Sequence, residues 1–297
     1  MLHAFYTDKQ VNDDCTMVDS VSKSPLKPKL VMEALQNGKL GDKIKVHSDF
    51  APLTQKDYNI AHTDRYVEAF LEGERPLCSS NSIPWSEKLV STVGYTNASL
   101  YNAIKFAVDN PNSLSLSPTS GFHHATPNRG VGFCTFSGQV IGSVKVWRDT
   151  GKVGAYVDLD GHYGNSIGDS LAYCDDTSKA IKHNINPDGI NDDYIESFEK
   201  QLAKLETDIL FGKVDYVVWC HGADSHIDDD FAMTAKVDTE RWLRCSDIFF
   251  DFVVKMRSMG RNVPVVMCLF GGYRADNYDF VIDLHKQDIE KGMEKLL

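Results

Sequence analysis

The chain predicts an α/β fold built on a mainly parallel sheet, and three observations predict it. Strand-like and helix-like stretches alternate to the end of the 297 residues. Residues 214–220 (Val-Asp-Tyr-Val-Val-Trp-Cys) and 263–269 (Val-Pro-Val-Val-Met-Cys-Leu) are almost continuously apolar, as strands buried on both faces of a parallel sheet are. Three strand ends carry reactive residues, at 158–162, 221–224 and 273. In open α/β sheets ligands bind beyond the carboxyl ends of the strands, so these residues are expected to converge at one edge of the sheet.

Residues 2–6, apolar and aromatic, form a first strand. Leu30, Val31 and Leu35 share a face of a helix over 25–35. A short helix over 62–71 is closed by Gly73, and residues 75–84, rich in Cys, Ser, Asn and Pro, form a loop. Val90, Val93, Ala98, Tyr101, Ile104 and Val108 recur at helical spacing over 85–109, and Pro111 ends that helix. A brief strand at 114–116 leads into a Gly- and His-rich loop, 121–132, and a helix is expected over 133–146. Val153, Ala155 and Val157 mark the next strand, and residues 164–173 read as helical. An amphipathic helix over 194–211 turns Phe198, Leu202, Leu205 and Ile209 inward. Helices over 239–259 and 279–297 flank the last strand. No repeat, low-complexity tract or linker interrupts this order, so residues 1–297 are expected to form a single domain.

The formal net charge of −11 argues against nucleic-acid binding, which wants a basic face. It is compatible with cationic partners such as polyamines or lysine-rich tails. Residues 1–8 carry no basic region ahead of a long apolar core, so no signal peptide is expected, and no apolar run is long enough to span a membrane. The seven cysteines (15, 78, 134, 174, 220, 245 and 268) are odd in number and include no Cys-x-x-Cys pair. Neither a disulfide framework nor a structural zinc knuckle follows. A reducing cytoplasm is the expected compartment.

The stretch Tyr156-Val157-Asp158-Leu159-Asp160-Gly161-His162 carries the chemistry. Asp158, Asp160 and His162 alternate, so on an extended backbone they point to one side. Two carboxylates and an imidazole suit Zn2+, with Fe2+, Co2+ and Mn2+ as alternatives. An isolated Asp-x-Asp-x-His closes a polar loop about as often as it binds a metal, so the rest of the chain must decide. Asp160, His162 and Asp224 would be three ligands that leave a position open, with Asp158 behind them orienting a histidine. His123 and His124 are adjacent in the glycine-rich loop; beside a metal they supply a general base and a general acid. Tyr273, after Gly271 and Gly272, would donate to an oxyanion. The bland alternatives are an incidental histidine pair and a buried aromatic after a tight turn. Assembled, the set describes a metal hydrolase for a planar carbonyl.

The ordered set Gly121-Phe122-His123-His124-Ala125, Gly132-Phe133-Cys134, Asp158 to Asn165, Gly222-Ala223-Asp224-Ser225 and Gly271-Gly272-Tyr273 resembles the histone deacetylase superfamily, including acetylpolyamine amidohydrolases. Weaker similarity covers Ser24 to Pro28 and His62 to Tyr66. The resemblance implies an arginase/deacetylase-like three-layer fold, a central mainly parallel sheet flanked by helices. It implies Zn2+ (Fe2+ as an alternative) on Asp160, His162 and Asp224, His123 paired with Asp158, His124 paired with Asn165 as proton donor and acceptor, and Tyr273 as oxyanion donor. Phe133 would line an acyl-lysine tunnel, with Gly132 and Gly272 giving close backbone approach. The substrate would be an acylated amine, either acyl-lysine in a protein or a small molecule such as an acetylpolyamine.

This sequence departs from the family pattern in several places. Tyr163 stands where a second histidine is frequent, Asn165 where some branches have Asp, Ser166 where Gly is usual, and Phe270 shortens the glycine run. An amide cannot stabilise imidazolium as a carboxylate does, so His124 is expected to have a lower pKa. Between Tyr173 and Tyr194 the chain lacks the Pro-Gly-Thr-Gly loop that brings a second tunnel aromatic, which predicts a wider, shallower site with one wall missing. The family's structural monovalent-cation site uses a serine from that region, and Ile181 falls near its position. Two other readings are an arginase-like ureohydrolase with two Mn2+ ions, for which the downstream loop offers only Asp224 and Asp228, and a non-catalytic acyl-binding homologue, which should have lost a ligand or the tyrosine. The run Asp228-Asp229-Asp230 reads as a solvated loop.

Overall fold

The computed structural model describes residues 1–12 and 23–297; Cys15 lies outside them. Seven strands form one sheet: β1 (Leu2–Phe5), β2 (Ile44–His47), β3 (Leu114–Ser117), β4 (Gly154–Asp158), β5 (Ile181–Ile185), β6 (Tyr216–Cys220) and β7 (Val265–Cys268). Their order is β2-β1-β3-β7-β6-β4-β5, and every pairing is parallel. Ten helices accompany them among the described residues: α1 (Lys27–Gln36), α2 (Gln55–Tyr58), α3 (Asp64–Glu72), α4 (Glu87–Asp109), α5 (Gly138–Thr150), α6 (Ser166–Ser170), α7 (Thr177–Ala180), α8 (Asp192–Leu210), α9 (Thr239–Ser258) and α10 (Tyr278–Leu296).

Residue alternation along the strands sorts the core into two layers. Leu114, Leu116, Val217, Trp219, Val265 and Met267 point to the face covered by α1, α8, α9 and α10. Tyr216, Val218, Cys220, Val266 and Cys268 point to the face covered by α3, α4 and α5. With both faces covered, the central strands must be apolar throughout, which is why β6 and β7 are legible in the sequence. Chain punctuation agrees with local chemistry. Ser86 caps α4 by accepting from Leu89 N at 3.0 Å, and Gly73, with φ of 76°, closes α3 in the left-handed region that glycine adopts without cost.

The strands β3, β7, β6 and β4 are neighbours in the middle of the sheet, so the loops after them share one opening at its carboxyl end. Two strands were not expected. β2 and β5 are short, mostly half-exposed edge strands, and their mixed sequences (Ile-Lys-Val-His and Ile-Lys-His-Asn-Ile) carry neither a continuous apolar run nor a turn signal. The helix expected from residue 133 begins at Gly138, because Phe133 adopts a φ of 63° and residues 133–137 are spent on the site loop. The helix expected over 164–173 is the five-residue α6. The six described cysteines are free and buried.

Trp219 lies at the centre of one layer, stacked on Phe249 at 4.2 Å and donating its indole N–H to Asp288. Trp219→Ala should lower the free energy of unfolding by about 3–5 kcal/mol, read from the urea midpoint at unchanged slope.

Candidate active site

The loops after β4 and β6 bring Asp160, His162 and Asp224 together, with one ligand atom from each lying within 4.8 Å of the others. His162 Nδ1 is 2.9 Å from Asp224 Oδ2 and 3.2 Å from Asp160 Oδ1. Backbone donors hold the carboxylates: Gly161 N and Gly271 N donate to Asp224 Oδ1 (3.0 Å) and Asp160 Oδ2 (2.9 Å), and His162 N donates to Asp160 Oδ1 (2.9 Å). A Cβ at Gly271 would overlap the Asp224 carboxylate, so the fourth side of this cradle is bare backbone. Two carboxylates and an imidazole converging on one point fit a divalent transition metal such as Zn2+.

The electrostatics match a cation-binding pocket. Hydrogen bonds to Asp160 and Asp224 raise the His162 pKa to about 10. Burial, then repulsion from Asp160, raises Asp224 to about 7. Burial works against the Asp160 charge, but the imidazoles of His123 and His162 outweigh it and hold that carboxyl well below its ordinary range.

The alternation expected on an extended backbone is not what places these groups. β4 ends at Asp158, and the chain turns so that Asp158 Oδ1 accepts from Asp160 N at 3.2 Å. The other oxygen of Asp158 meets His123 Nδ1 at 3.0 Å. A Cβ at Gly164 would overlap that oxygen.

His124 Nδ1 lies 2.9 Å from Asn165 Oδ1. The two imidazoles differ in environment. Burial opposes the charged form of His123, but Asp160 and Asp158 lift its pKa to about 9. His124 is lowered, first by burial and then by the charge of His123. Its expected lowering is present, but the cause is burial; the hydrogen bond with Asn165 works the other way and raises it.

His62 fixes the loop that carries this pair. It is fully buried, with one ring nitrogen 2.9 Å from Thr126 O and the other accepting from Ser137 N at 2.8 Å. It thus ties both arms of the loop in a single tautomer.

Tyr273 sits on the opposite wall. Burial and the nearby carboxylates Asp224 and Asp160 raise its phenol well above the ordinary range, so it is a neutral donor. Gly132, with φ of 51°, lies against His124, where a Cβ would approach ring carbon Cδ2 to 2.8 Å. Gly272 packs its backbone between Ala223 and Val281. The resulting pocket holds about 200 Å³ and is lined in part by His123, His124, Phe133, Asp160, His162 and Tyr273.

A second aromatic of the pocket comes from another loop. Phe231 also lines the pocket, its ring edge-on to Phe133 (6.3 Å, 88°) and against Tyr273 (5.1 Å). The acidic run before it is a solvated loop in part, with Asp228 and Asp230 exposed and Asp229 turned inward. Asp229 is buried and accepts from Tyr273 N (2.7 Å) and Phe231 N (3.0 Å), while Asp230 accepts from Ala275 N. Asp228, considered above for a second ion, pairs with Arg274 instead.

Three further placements differ from expectation or were missed. His221 is buried away from the ligands, stacked flat on Trp242 at 3.6 Å. Ile181 opens β5 opposite Gly154, at the far end of the sheet; Asn186, one residue past Ile185, reaches the site end and accepts from Gly164 N at 2.7 Å. Lys27 is fully buried beneath the site, donating to Phe270 O. Burial lowers its pKa to about 8, against the pull of Asp224, Asp160 and Asp229. Its sequence signals are a lysine between prolines at a helix start and the weaker family similarity of Ser24 to Pro28.

A family model described as histone deacetylase domain matches residues 22–185, more than half of the chain. Histone deacetylase 8 of Xenopus laevis is 22% identical over 104 residues, which is 35% of this chain and 32% of that protein's length. Asp224, Phe231 and Tyr273 lie beyond the matched residues 22–185; the folded chain brings them to the others.

The pKa shifts make metal-free stability pH-dependent. His123 and His162 have folded pKa values of about 9 and about 10, above the ordinary 6.5. Their stabilisation is complete below pH 6.5 and is lost as pH rises through the folded values. In chelator-treated protein the thermal midpoint should therefore fall from pH 6.5 towards 9. Added Zn2+ binds the deprotonated ligands, so the midpoint gain it gives should grow over the same range. Asp224→Asn should abolish that gain.

Proposed function

Since this chain belongs to the histone deacetylase family, we propose that it is a zinc-dependent amidohydrolase that removes an acetyl or other acyl group from an amine. The observation that carries the reading is the convergence of Asp160, His162 and Asp224 with two buffered imidazoles and a neutral phenol in one pocket. We propose residues 1–297 as one catalytic domain.

Asp160, His162 and Asp224 would hold the ion, with Fe2+ as an alternative to Zn2+. When bound, it supplies Lewis acidity for the acyl carbonyl and for a water at neutral pH. The chain's own groups do the rest. His124, hydrogen-bonded through Nδ1 to Asn165, has Nε2 available to take the water proton and return it to the leaving amine. His123, lifted by its carboxylate neighbours, would in its protonated form favour negative charge developing beside it. The Tyr273 phenol donates to the oxyanion of the tetrahedral intermediate.

Phe133 and Phe231 form the sides of the entrance. An aromatic slot of this kind selects a slim alkyl chain, the common feature of an acyl-lysine and an acetylpolyamine.

Hydrolysis of acetyl-lysine peptide, longer acyl-lysine peptides and acetylpolyamines, with added Zn2+ or Fe2+, tests the reading. Tyr273→Phe should lower kcat by about 10²–10³-fold and His124→Ala by about 10²–10⁴-fold. No turnover of any of these amides by metal-loaded protein overturns it. For the slot, Phe231→Ala should raise KM more than it lowers kcat; an unchanged KM would remove Phe231 from the substrate path.

A further inference from the structure

The partner of His124 is an amide, and an amide has two chemically opposite ends. Its oxygen accepts from an N–H; its NH2 donates to an unprotonated ring nitrogen. Asn165 therefore permits either tautomer of His124 unless something orients it. His123 has no such ambiguity, because its Nδ1 faces the carboxylate of Asp158, an acceptor only.

One more residue removes the ambiguity at His124. Asn165 Nδ2 donates to Asp169 Oδ2 at 2.6 Å, and Asp169 N donates to Asn165 O at 2.9 Å across the turn of α6. An ionised carboxylate offers no proton, so the NH2 end of Asn165 must face Asp169 and its Oδ1 must face His124 Nδ1. We propose that Asp169 is a positioning residue that sets the tautomer of His124 through the Asn165 amide, placing the proton on Nδ1 and leaving Nε2 bare. Water cannot replace Asp169 in this role, since water accepts and donates with equal ease and would serve either orientation. Asp169 is exposed, so its removal leaves the core intact.

The tautomer assignment does not depend on the reaction; its effect on turnover rests on the amidohydrolase reading. Nitrogen-15 NMR of ring-labelled histidines, with and without Zn2+, reads the tautomer directly, and His124→Gln identifies the His124 signals. Wild type should show one form, protonated at Nδ1. Asp169→Ala should raise the Nε2-protonated population about fivefold, the weight of one hydrogen bond. In Asn165→Asp, an acceptor-only group faces His124 directly, so the same Asp169→Ala change should leave the tautomer unmoved.

On an acetylated amine, Asp169→Ala should lower kcat in the Asn165 background only by the Nδ1-protonated fraction lost, less than about twofold when wild type is held almost wholly in that form, with KM unchanged. It should not lower kcat in the Asn165→Asp background, where it also relieves two adjacent carboxylates. A His124 tautomer that does not respond to Asp169→Ala overturns the proposal, as does an equal kcat loss in both backgrounds. Absence of turnover in every variant counts against the amidohydrolase reading alone, and the NMR result then decides the role of Asp169.

Discussion

Two carboxylates held side by side out of water organise this molecule. Asp160 and Asp224 are both buried, and like charges in such a place repel strongly. They stay because each is gripped by the backbone of a neighbouring loop, Asp224 by Gly161 N and Asp160 by Gly271 N. The glycines are part of this grip. Side chains at 161 and 271 would occupy the space that the Asp224 backbone and carboxylate fill. Beneath them the ammonium of Lys27 is tied to Phe270 O, on the loop that carries Gly271, and its charge faces both carboxylates. The cradle is thus a mutual arrangement of the loops after β4, β6 and β7, with a cation from the first turn of α1 sealed under it.

The sheet makes that arrangement available. A parallel sheet with helices on both faces leaves its strand ends as the open surface. Because β3, β7, β6 and β4 are consecutive across its middle, four loops meet there. One carries the histidine pair, one Tyr273, one Asp224 with Phe231, and one Asp160 with His162. The candidate ligands, base and oxyanion donor are brought to one pocket from segments more than a hundred residues apart in the chain.

What could be read from the sequence follows from how local each signal is. β6 was legible because both its faces are buried; β2 and β5 were not, because an edge strand needs no apolar run. Asp160, His162 and Asp224 could be picked out because residue type alone restricts what can hold a metal. Phe231 could not, because nothing local says that an aromatic after three aspartates turns inwards; the buried Asp229 does that by bonding both Phe231 N and Tyr273 N. His221 misled for the complementary reason: it follows a reactive-looking strand end, yet its ring packs flat on Trp242. The family match over residues 22–185 covers the histidine loop and the Asp160 and His162 stretch; Asp224 and Tyr273 were legible outside it as short motifs, whereas Phe231 is visible only once the chain is folded.

The loop from Asp224 to Phe231 supplies the second aromatic of the pocket. It leaves β6 bearing a ligand residue, passes through Asp229, and ends at the aromatic that faces Phe133. Asp229 joins this loop to the segment bearing Tyr273, so Asp224, Phe231 and Tyr273 are carried on two segments tied at one buried carboxylate. Burial disfavours the charge on Asp229 and raises its pKa, but hydrogen bonds from Tyr273 N and Phe231 N and the charge of Lys27 oppose that shift. The same cation that faces the ligand carboxylates therefore also supports the residue that closes the slot. A wall supplied in this way cannot move independently of the chemistry it surrounds, because shifting Phe231 pulls on Asp229, and through it on Tyr273.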